Sequence, residues 1–530
     1  MPASITLSHV SWSTPDGRSL LSDLALSFGP ERTGLVGRNG VGKTTLLKLI
    51  SGELRAHSGT VAVNGSLGIL RQIGQVDRTE TIASLFGAVD ALALLRRAET
   101  GEATAEELAH ADWTLEARMA SALAKVGLDA PPDTFLSSLS GGQSTRAGLA
   151  ALVFAEPDFL LLDEPTNNLD RDGREAVLDL LAGWRGGAIV VSHDRELLDI
   201  MDAIVELTSL GTTRYGGNWS RYRESKALEL AATRRDLVDA EKRVAEIDRK
   251  AQETIERKVR KDGAAQRNRA KGGMPRILMN GLKSRSEETG GKNARLTERR
   301  RGQALEAAAS ARERIEILQP FSIVLPPTHL PAGRTVLTIE AASAGYEPER
   351  PILRDFSFAI TGRERVAVIG PNGSGKTTLL AIVSGQLQPW SGSVRVMTEF
   401  ALFDQRVSLL DASVSIRDNF RRINPDADEN ACRAALARFM FRADAALQLV
   451  STLSGGQLLR AGLACVLGGP RPPALLVLDE PTNHLDIDSI EAVEAGLRAY
   501  DGALLIVSHD ETFLEAIGVS RRLDLAHAQI

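Results

Sequence analysis

Hydrophobic and polar positions divide the chain into three parts, and the first and last parts follow the same plan. Residues 1–222 and 334–530 contain short apolar runs that alternate with helical patterns. The runs Phe159–Leu162 and Leu475–Leu478 are uninterrupted, which is typical of parallel strands buried on both faces. The stretch Ile5–Phe28 alternates apolar and polar residues around a turn and predicts antiparallel strands. The pattern therefore predicts two α/β domains with mixed sheets and helical subdomains.

The middle part, residues 223–333, has a different pattern. From Glu224 to about Ala270 it contains no proline, and apolar residues recur every three or four positions, at Leu237, Ala240, Val244, Ile247 and Ala251. A second run has the same spacing, at Ala304, Ala308, Ala311, Ile315 and Leu318. Two narrow apolar seams predict an antiparallel α-helical hairpin as the interdomain linker. Prolines then predict an extended tether into the last part, namely Pro320, Pro326, Pro327 and Pro331.

Both α/β parts carry a glycine-rich loop between an apolar run and a helical run, at Gly37–Thr44 and Gly370–Thr377. In this context the glycines allow backbone N–H groups to surround phosphate oxygens, and the lysine reaches the β- and γ-phosphates. The loops predict ATP binding by two sets of residues: Gly37, Asn39, Gly40, Gly42, Lys43, Thr44 and Thr45, and Gly370, Asn372, Gly373, Gly375, Lys376, Thr377 and Thr378.

A second anion-binding pattern follows each loop and precedes a helical run. A serine and free N–H groups at a helix start favour a negatively charged ligand. We therefore expect nucleotide contacts from Ser140, Gly141, Gly142 and Gln143, and from Ser454, Gly455, Gly456 and Gln457.

Paired carboxylates end the two buried runs, where parallel sheets bind their ligands. Asp163 and Asp479 are predicted to hold Mg²⁺ through water, together with Thr44 and Thr377. Glu164 and Glu480 are the predicted general bases that polarise the attacking water.

Two further polar residues recur in register. His193 and His509 each follow an apolar run, and each lies 30 residues after the strand-end aspartate of its copy. Both are predicted γ-phosphate sensors. Gln72 and Gln405 each follow a strand-like run, and are predicted to reach the metal or the attacking water.

An aromatic residue precedes each phosphate loop, Trp12 in the first copy and Tyr346 in the second. Either ring could stack on adenine, and the alternative for both is a role in the strand core or at the surface. The sequence leaves this choice open.

Charge is distributed unevenly along the chain, and the linker carries an excess of basic residues. The chain carries a formal charge of −5, yet residues 221–320 hold 26 Lys and Arg against 16 Asp and Glu. Between Arg257 and Arg285 ten basic residues accompany one acidic residue, which indicates a phosphate-bearing partner for this segment. No apolar run approaches the length that spans a bilayer, and no leader pattern precedes Ile5, so we expect a cytoplasmic protein without membrane insertion.

The order of these motifs resembles the ATP-binding cassette superfamily. The resemblance implies two P-loop cassettes that pair head to tail within one monomeric chain and trap two ATP molecules. It implies that Lys43 and Glu164 work with Ser454–Gln457, and that Lys376 and Glu480 work with Ser140–Gln143.

The charged helical linker and the sequence Gly217-Asn218-Trp219-Ser220 at its start resemble the ABC-F family of ribosome-associated translation factors. The resemblance implies binding to the tRNA exit site of the ribosome, with the linker directed at rRNA and at the P-site tRNA. One position departs from the family pattern, since Asn168 stands where the second copy has His484.

Two alternatives share the twin-cassette pattern. One is the fused double ATPase of a membrane importer, and the other is a DNA-binding ATPase whose hairpin contacts the duplex. Within the leading hypothesis, general translation, rescue of stalled ribosomes and antibiotic protection remain equally compatible with the sequence.

Overall fold

The structure is a computed structural model that describes residues 3–70, 79–167, 169–209, 211–269, 298–310, 323–347, 350–483 and 485–526. Contacts group the chain into two units. One contains Met1–Trp219 and Phe321–Ile530, and the other contains Ser220–Pro320. The first unit contains both α/β domains, called here the first cassette (residues 3–219) and the second cassette (residues 323–526).

The first cassette contains nine strands and eight complete helices within its described residues. The strands are β1 (Ser4–Ser13), β2 (Ser19–Phe28), β3 (Arg32–Val36), β4 (Ser58–Asn64), β5 (Leu67–Ile69), β6 (Phe159–Asp163), β7 (Gly187–Val191), β8 (Ala203–Thr208) and β9 (Gly211–Gly216). The helices are α1 (Lys43–Ile50), α2 (Ile82–Leu85), α3 (Val89–Glu99), α4 (Ala105–His110), α5 (Leu115–Lys125), α6 (Gly141–Ala155), α7 (Arg171–Gly183) and α8 (Arg195–Asp199).

The second cassette repeats this plan after the helix α9 (Trp219–Arg269). Its strands are β10 (Thr335–Ala344), β11 (Leu353–Thr361), β12 (Arg365–Ile369), β13 (Ser391–Val396), β14 (Phe400–Phe403), β15 (Leu475–Asp479), β16 (Ala503–Val507) and β17 (Arg521–Asp524). Its helices are α10 (Lys376–Val383), α11 (Ile416–Ile423), α12 (Glu429–Arg438), α13 (Gly455–Leu467), α14 (Ile487–Ala499) and α15 (Glu511–Ala516).

Strand order brings the predicted motifs of each cassette to one sheet edge. The larger sheets run β5-β6-β7-β3-β8-β9 and β14-β15-β16-β12-β17, and only β9 is antiparallel to its neighbour. The phosphate loop follows β3, the paired carboxylates follow β6 and the histidine follows β7, three strands that lie side by side. Because carboxyl ends of parallel strands share one edge, the motifs converge there.

The uninterrupted apolar runs are buried as their pattern predicts. Phe159–Leu162 and Leu475–Leu478 are at most 1% exposed, with helices on one face and a smaller antiparallel sheet on the other. The smaller sheets are β2-β1-β4 and β11-β10-β13. Residues 323–331 have no regular structure, and Ile323 and Leu330 lie in the hydrophobic cores of the second cassette. The predicted pair of α/β cassettes is confirmed.

The second unit consists of α9 and a second helical stretch, residues 298–310. Ala240 of α9 and Ala304 and Ala308 of the second stretch are buried, and Arg301 Nε lies 2.7 Å from Asp248 Oδ1. The ion pair joins the two helices, and small residues of each helix are buried, as the predicted hairpin requires. Ala311, Ile315, Leu318 and the basic positions from Lys271 to Arg295 lie outside the described residues. Within the described part of the chain, no helix is long and apolar enough to cross a membrane.

Candidate functional site

The two phosphate loops connect a buried strand to a helix that begins at the lysine. Gly42 and Gly375 are the residues before α1 and α10, and both adopt left-handed backbone conformations, with φ of 112° and 97°. A Cβ atom added to Gly37 would lie 2.3 Å from the carbonyl oxygen of Leu207. Glycine is therefore required for the loop to turn so tightly beside β8.

The lysine side chains fold back over their own loops. Lys43 Nζ donates to the carbonyl oxygen of Gly37 at 2.6 Å, and Lys376 Nζ donates to that of Gly370 at 2.7 Å. Both residues are buried, and burial lowers the pKa of each ammonium group. The same loops contain the exposed residues Asn39, Gly40, Asn372 and Gly373, followed by Thr45 and Thr378 in the first helical turn.

A hydroxyl and a carboxylate lie together where the cation was predicted. Thr44 Oγ1 donates to Asp163 Oδ2 at 2.8 Å, and Thr377 and Asp479 occupy the matching positions of the second cassette. Burial raises the pKa of both aspartates. Mg²⁺ prefers a few hard oxygen ligands and completes its shell with water and phosphate oxygens. The donor set of Thr44 and Asp163 therefore fits a magnesium ion bound with a nucleotide.

The predicted general bases have an uncommon backbone conformation in both cassettes. Glu164 and Glu480 have positive φ angles of 50° and 45°, although neither is glycine. Their N–H groups donate to the carbonyl oxygens of Val191 at 2.8 Å and Val507 at 2.9 Å, which ties each turn to the neighbouring strand. Left-handed non-glycine residues held by surrounding structure are common at functional sites.

A histidine faces each of these glutamates. His193 Nε2 lies 3.1 Å from Glu164 Oε1, and His509 Nε2 lies 3.4 Å from Glu480 Oε1, but neither contact has hydrogen-bond geometry. These buried nitrogens have no hydrogen-bond partner among the described residues. A phosphate oxygen bound between the lysine and the histidine would supply one, which fits the predicted γ-phosphate sensor.

Burial sets the protonation of this pair. It raises the pKa of Glu164 to about 8 and that of Glu480 to about 7, although Lys43 and Lys376 act in the opposite direction. Burial also lowers the pKa of His193 to about 3 and that of His509 to about 4. The histidines are therefore neutral at pH 7, and the glutamates hold their protons more tightly than exposed carboxyl groups do.

The two Ser-Gly-Gly-Gln segments form N-terminal caps of α6 and α13. Ser140 Oγ accepts from the N–H of Gln143, and the Gln143 side chain accepts from the N–H of Ser140 at 3.0 Å. Ser454 and Gln457 form the same box. Two glycines lie between the serine and the glutamine of each box. Gly141 and Gly455 are exposed, and Gly142 and Gly456 are buried.

Each phosphate loop contacts the other cassette. The N–H of Asn39 donates to Asp486 Oδ2 at 2.9 Å, and the N–H of Asn372 donates to Asp170 Oδ2 at 3.4 Å. The charge of Asp486 also acts on Lys43 and His193, and that of Asp170 acts on Lys376 and His509. The structure therefore brings residues of both cassettes together at each site.

Other contacts between the cassettes have no counterpart in the repeat. Arg38 Nε lies 2.8 Å from Asp488 Oδ2, whereas Pro371 occupies the position of Arg38 in the second loop. Arg174 donates to Asp194 and to the carbonyl oxygen of His509. Neither the Arg38 contact nor the Arg174 contact was predicted from the sequence, because repetition was the main signal and these two positions differ between the copies.

The remaining predicted residues show no contact with the phosphate loops or the strand-end carboxylates among the contacts described above. Trp12 is stacked on His57, with ring centroids 6.0 Å apart, and Tyr346 is 65% exposed. Gln405 is exposed and follows β14 after one intervening residue, Asp404. Gln72, Asn168 and His484 lie outside the described residues.

Comparison with known proteins agrees with this architecture. The family model described as ABC transporter matches residues 21–167 and 353–483. The tylosin resistance ATP-binding protein TlrC of Streptomyces fradiae is 34% identical over 535 residues, 93% of this chain and 92% of that protein.

Two further relatives cover most of the chain. The energy-dependent translational throttle protein EttA of Mycobacterium tuberculosis (strain ATCC 25618 / H37Rv) is 31% identical, over 94% of this chain and 87% of that protein. The ATP-binding protein Uup of Haemophilus influenzae is 33% identical, over 91% of this chain and 72% of that protein. Among solved structures, the RNase-L Inhibitor aligns with a TM-score of 0.56 at 17% identity, over 97% of this chain and 87% of that chain, which is a likeness of fold.

The matched cassettes include both phosphate loops and both pairs of strand-end carboxylates. The relatives extend the match across the linker as well, since they cover nearly the whole chain. The chain is therefore a twin-cassette ATPase that belongs to the ABC-F family of ATP-binding cassette proteins.

Proposed function

We propose that this ATPase is a cytoplasmic ribosome-binding factor that engages the tRNA exit site when its two cassettes close on ATP. In this proposal the basic hairpin contacts rRNA and tRNA, and ATP hydrolysis opens the cassettes and releases the ribosome. The observation that carries the proposal is the combination of two sets of ATP-binding motifs with an intervening basic helical segment in a single chain.

The relatives support the general role. One is named as a translational throttle and another as a tylosin resistance protein, and both match this chain over nearly its whole length. Modulation of translation and protection of the ribosome from an antibiotic are therefore both compatible with the proposed binding site.

The charge of the hairpin supports a nucleic-acid partner. Ten basic residues and one acidic residue lie between Arg257 and Arg285, and such a run repels itself unless an anion lies nearby. Described basic residues of α9 that are nearer to Trp219, such as Lys242 and Arg243, are exposed. Lys250 pairs with Glu246 at 2.6 Å, so part of this charge is balanced within the helix.

Each ATP would be bound by residues of both cassettes. In the first site Lys43 and the loop N–H groups would bind the phosphates, and Asp486 of the other cassette would fix the loop through the N–H of Asn39. Thr44 and Asp163 would hold Mg²⁺, which neutralises phosphate charge and orients the phosphates. Ser454 and the N-terminus of α13 would complete the site in the closed state.

Hydrolysis would then depend on the pair formed by Glu164 and His193. The ionised form of Glu164, which the charge of Lys43 favours, would polarise the attacking water, and neutral His193 would donate a hydrogen bond to the γ-phosphate. Glu480 and His509 would do the same in the second site. Because both sites retain these residues, we propose that both hydrolyse ATP.

The importer alternative predicts a different partner. A fused double ATPase of that class docks on a membrane permease and has no use for a basic hairpin. A DNA-binding ATPase would use the hairpin on a duplex.

Co-sedimentation separates the three proposals. The purified chain carrying Glu164→Gln and Glu480→Gln is mixed with ribosomes, membrane vesicles or duplex DNA, each with ATP or ADP. The proposal expects ATP-dependent sedimentation with ribosomes alone. Preferential ATP-dependent binding to membranes or to duplex DNA would overturn it.

A further inference from the structure

The side chain of Arg174 lies between the histidine segments of the two cassettes. Arg174 is in the first turn of α7, and Asp170, the residue that caps this helix, contacts the second phosphate loop. Its Nη2 donates to Asp194 Oδ2 at 2.5 Å, and its Nη1 donates to the carbonyl oxygen of His509 at 2.7 Å. Asp194 follows His193 in sequence, so one guanidinium group joins the two segments that hold the γ-phosphate sensors.

This link is well enclosed and geometrically specific. The Arg174 side chain is 14% exposed and that of Asp194 is 5% exposed. Asp194 Oδ1 also accepts from the N–H groups of Glu196 at 3.1 Å and Leu197 at 3.3 Å, which fixes the start of α8. A planar guanidinium can hold a carboxylate and a carbonyl at once, whereas an ammonium group lacks that fork.

The link has no counterpart on the other side of the cassette pair. Ile490 occupies the position equivalent to Arg174, eleven residues after the strand-end aspartate in each copy, and it lies in the hydrophobic core of the second cassette. Asp510, the counterpart of Asp194, caps its own helix by accepting from the N–H of Phe513 at 2.9 Å, and its charge also acts on Arg174. A single side chain therefore joins the two histidine segments at this position, and not a symmetric pair.

We propose that Arg174 is a positioning residue that couples the two ATP sites. Movement of His193 towards a γ-phosphate carries Asp194 with it, because the residues are adjacent. Arg174 transmits that movement to the carbonyl of His509, or else loses one of its two partners. Closure at either site is therefore easier when the other site has closed, and hydrolysis at one site depends on the occupancy of the other.

A neighbouring ion pair supplies a control. Arg195 Nη1 lies 2.6 Å from Glu494 Oε1 of the second cassette, with side chains 13% and 7% exposed. This pair also spans the two cassettes and is equally enclosed, but its hydrogen bond goes to α14 and not to the His509 segment. Loss of Arg195 weakens the contact between the cassettes without cutting the proposed link.

The test compares ATPase rates when one site is blocked. Glu164→Gln blocks the first site and Glu480→Gln blocks the second, and each is made in the native chain, with Arg174→Ala, with Arg174→Lys and with Arg195→Ala. With native Arg174 we expect either block to lower the rate to about one fifth or less of the half that a lost site alone would leave, in line with typical coupling energies. The reason is that the blocked site stays closed on ATP, and Arg174 then holds the other site closed after hydrolysis. With Arg174→Ala each blocked chain should retain about half of the rate of its own unblocked parent, and the Hill coefficient for ATP should approach one.

Arg174→Lys keeps a long, positively charged side chain, so it is the control for a folding defect in Arg174→Ala. It should lose the coupling as Arg174→Ala does, because the fork and not the charge holds both partners. Arg195→Ala should retain the coupling. Unchanged coupling in both Arg174 variants, an equal loss in Arg195→Ala, or additive sites in the native chain would each overturn the proposal.

Discussion

Asp486 of the second cassette accepts a hydrogen bond from the backbone N–H of Asn39 in the first phosphate loop, at 2.9 Å. The same carboxyl group caps α14 by accepting from the N–H of Ser489 at 2.9 Å. Burial acts to raise the pKa of Asp486, but these hydrogen bonds outweigh it and leave the pKa lowered. A charged side chain thus connects a helix of one cassette to the phosphate loop of the other.

The first prediction concerns the two aspartates that make this kind of contact. Asp170 caps α7 through Gly173 at 3.1 Å and reaches the N–H of Asn372 at 3.4 Å, so it is a matched but weaker copy. Asp486→Ala should lower kcat/KM for ATP more than Asp170→Ala does, by about threefold to tenfold, which is the net contribution of one typical hydrogen bond. Both variants lose a helix cap, so the difference reports the contact between the cassettes. Steady-state ATPase assays with equal losses would contradict this.

The second prediction concerns the general bases. Glu164→Gln combined with Glu480→Gln should retain ATP binding and lose about 10²-fold to 10⁴-fold in kcat, because only the base is removed. Equilibrium dialysis and ATPase assays measure the two quantities. Glu156→Gln is the control, since Glu156 also has a positive φ, 47°, but is exposed at the end of α6. Near-normal hydrolysis in the double variant would contradict the assignment of Glu164 and Glu480 as general bases.

The third prediction concerns pH and the stability of the protein without Mg²⁺ or nucleotide. Burial raises the pKa of Glu164 from 4.5 in the unfolded chain to about 8 in the folded protein. Between these values the folded protein holds a proton that the unfolded chain has released, so this group lowers stability progressively as pH rises. Glutamine does not titrate.

Glu164→Gln should therefore match the native protein near pH 5 and exceed its thermal midpoint near pH 8. Between pH 4.5 and pH 8, the free energy of unfolding of Glu164→Gln relative to that of the native protein rises by at most about 1.4 kcal/mol per pH unit. Thermal unfolding in EDTA at several pH values measures it, and Glu116→Gln at an exposed position of α5 should show no such trend. A constant difference between the midpoints of Glu164→Gln and the native protein at pH 5 and pH 8 would contradict the prediction.

Much of the fold and of each site could be predicted because the motifs occur twice. Two copies of a loop, of a carboxylate pair and of a histidine in register distinguish a site from a chance pattern. The uninterrupted run Phe159–Leu162 also predicted a two-faced buried strand, and that strand is β6. The apolar seam of α9 followed from simple helical spacing, and Ala240 within it is buried.

The contacts between the cassettes could be predicted only in part. Asp170 and Asp486 lie at equivalent positions of the two copies, so repetition relates them. Arg38 pairs with Asp488, which lies 450 residues further along the chain, and no local sequence pattern relates these two residues. Arg174 has Ile490 as its counterpart, so repetition gave no signal for it. Such contacts depend on how two folded surfaces meet.

The fourth prediction concerns the charge of the hairpin. Six basic residues of α9 are expected to contact RNA phosphates, namely Arg257, Lys258, Arg260, Lys261, Arg267 and Arg269. Six contacts, each releasing about 0.7–0.9 counterions, give a log–log slope of affinity against salt of roughly −4 to −5. Replacing all six by glutamine should flatten the slope of ribosome binding by about this amount, because the charged contacts are lost. Glutamine preserves helix propensity, so the change could not be attributed to a melted helix.

A second set of six on the same helix is the control for this variant: Arg234, Arg235, Lys242, Arg243, Arg249 and Lys250. These residues are exposed but lie nearer to Trp219. Their replacement by glutamine should leave most of the slope intact. If both sextuple variants change the slope equally, the charge acts generally, and if neither does, the charged run is a solvated face.

The most direct test of the central claim is the affinity of the Glu164→Gln, Glu480→Gln chain for ribosomes, measured with ATP and with ADP at one salt concentration. If cassette closure on ATP creates the ribosome-binding form, the affinity with ATP should exceed that with ADP by about tenfold or more, a difference of about 1.4 kcal/mol in binding free energy. Equal affinities with the two nucleotides would contradict the claim that closure of the cassettes drives ribosome binding.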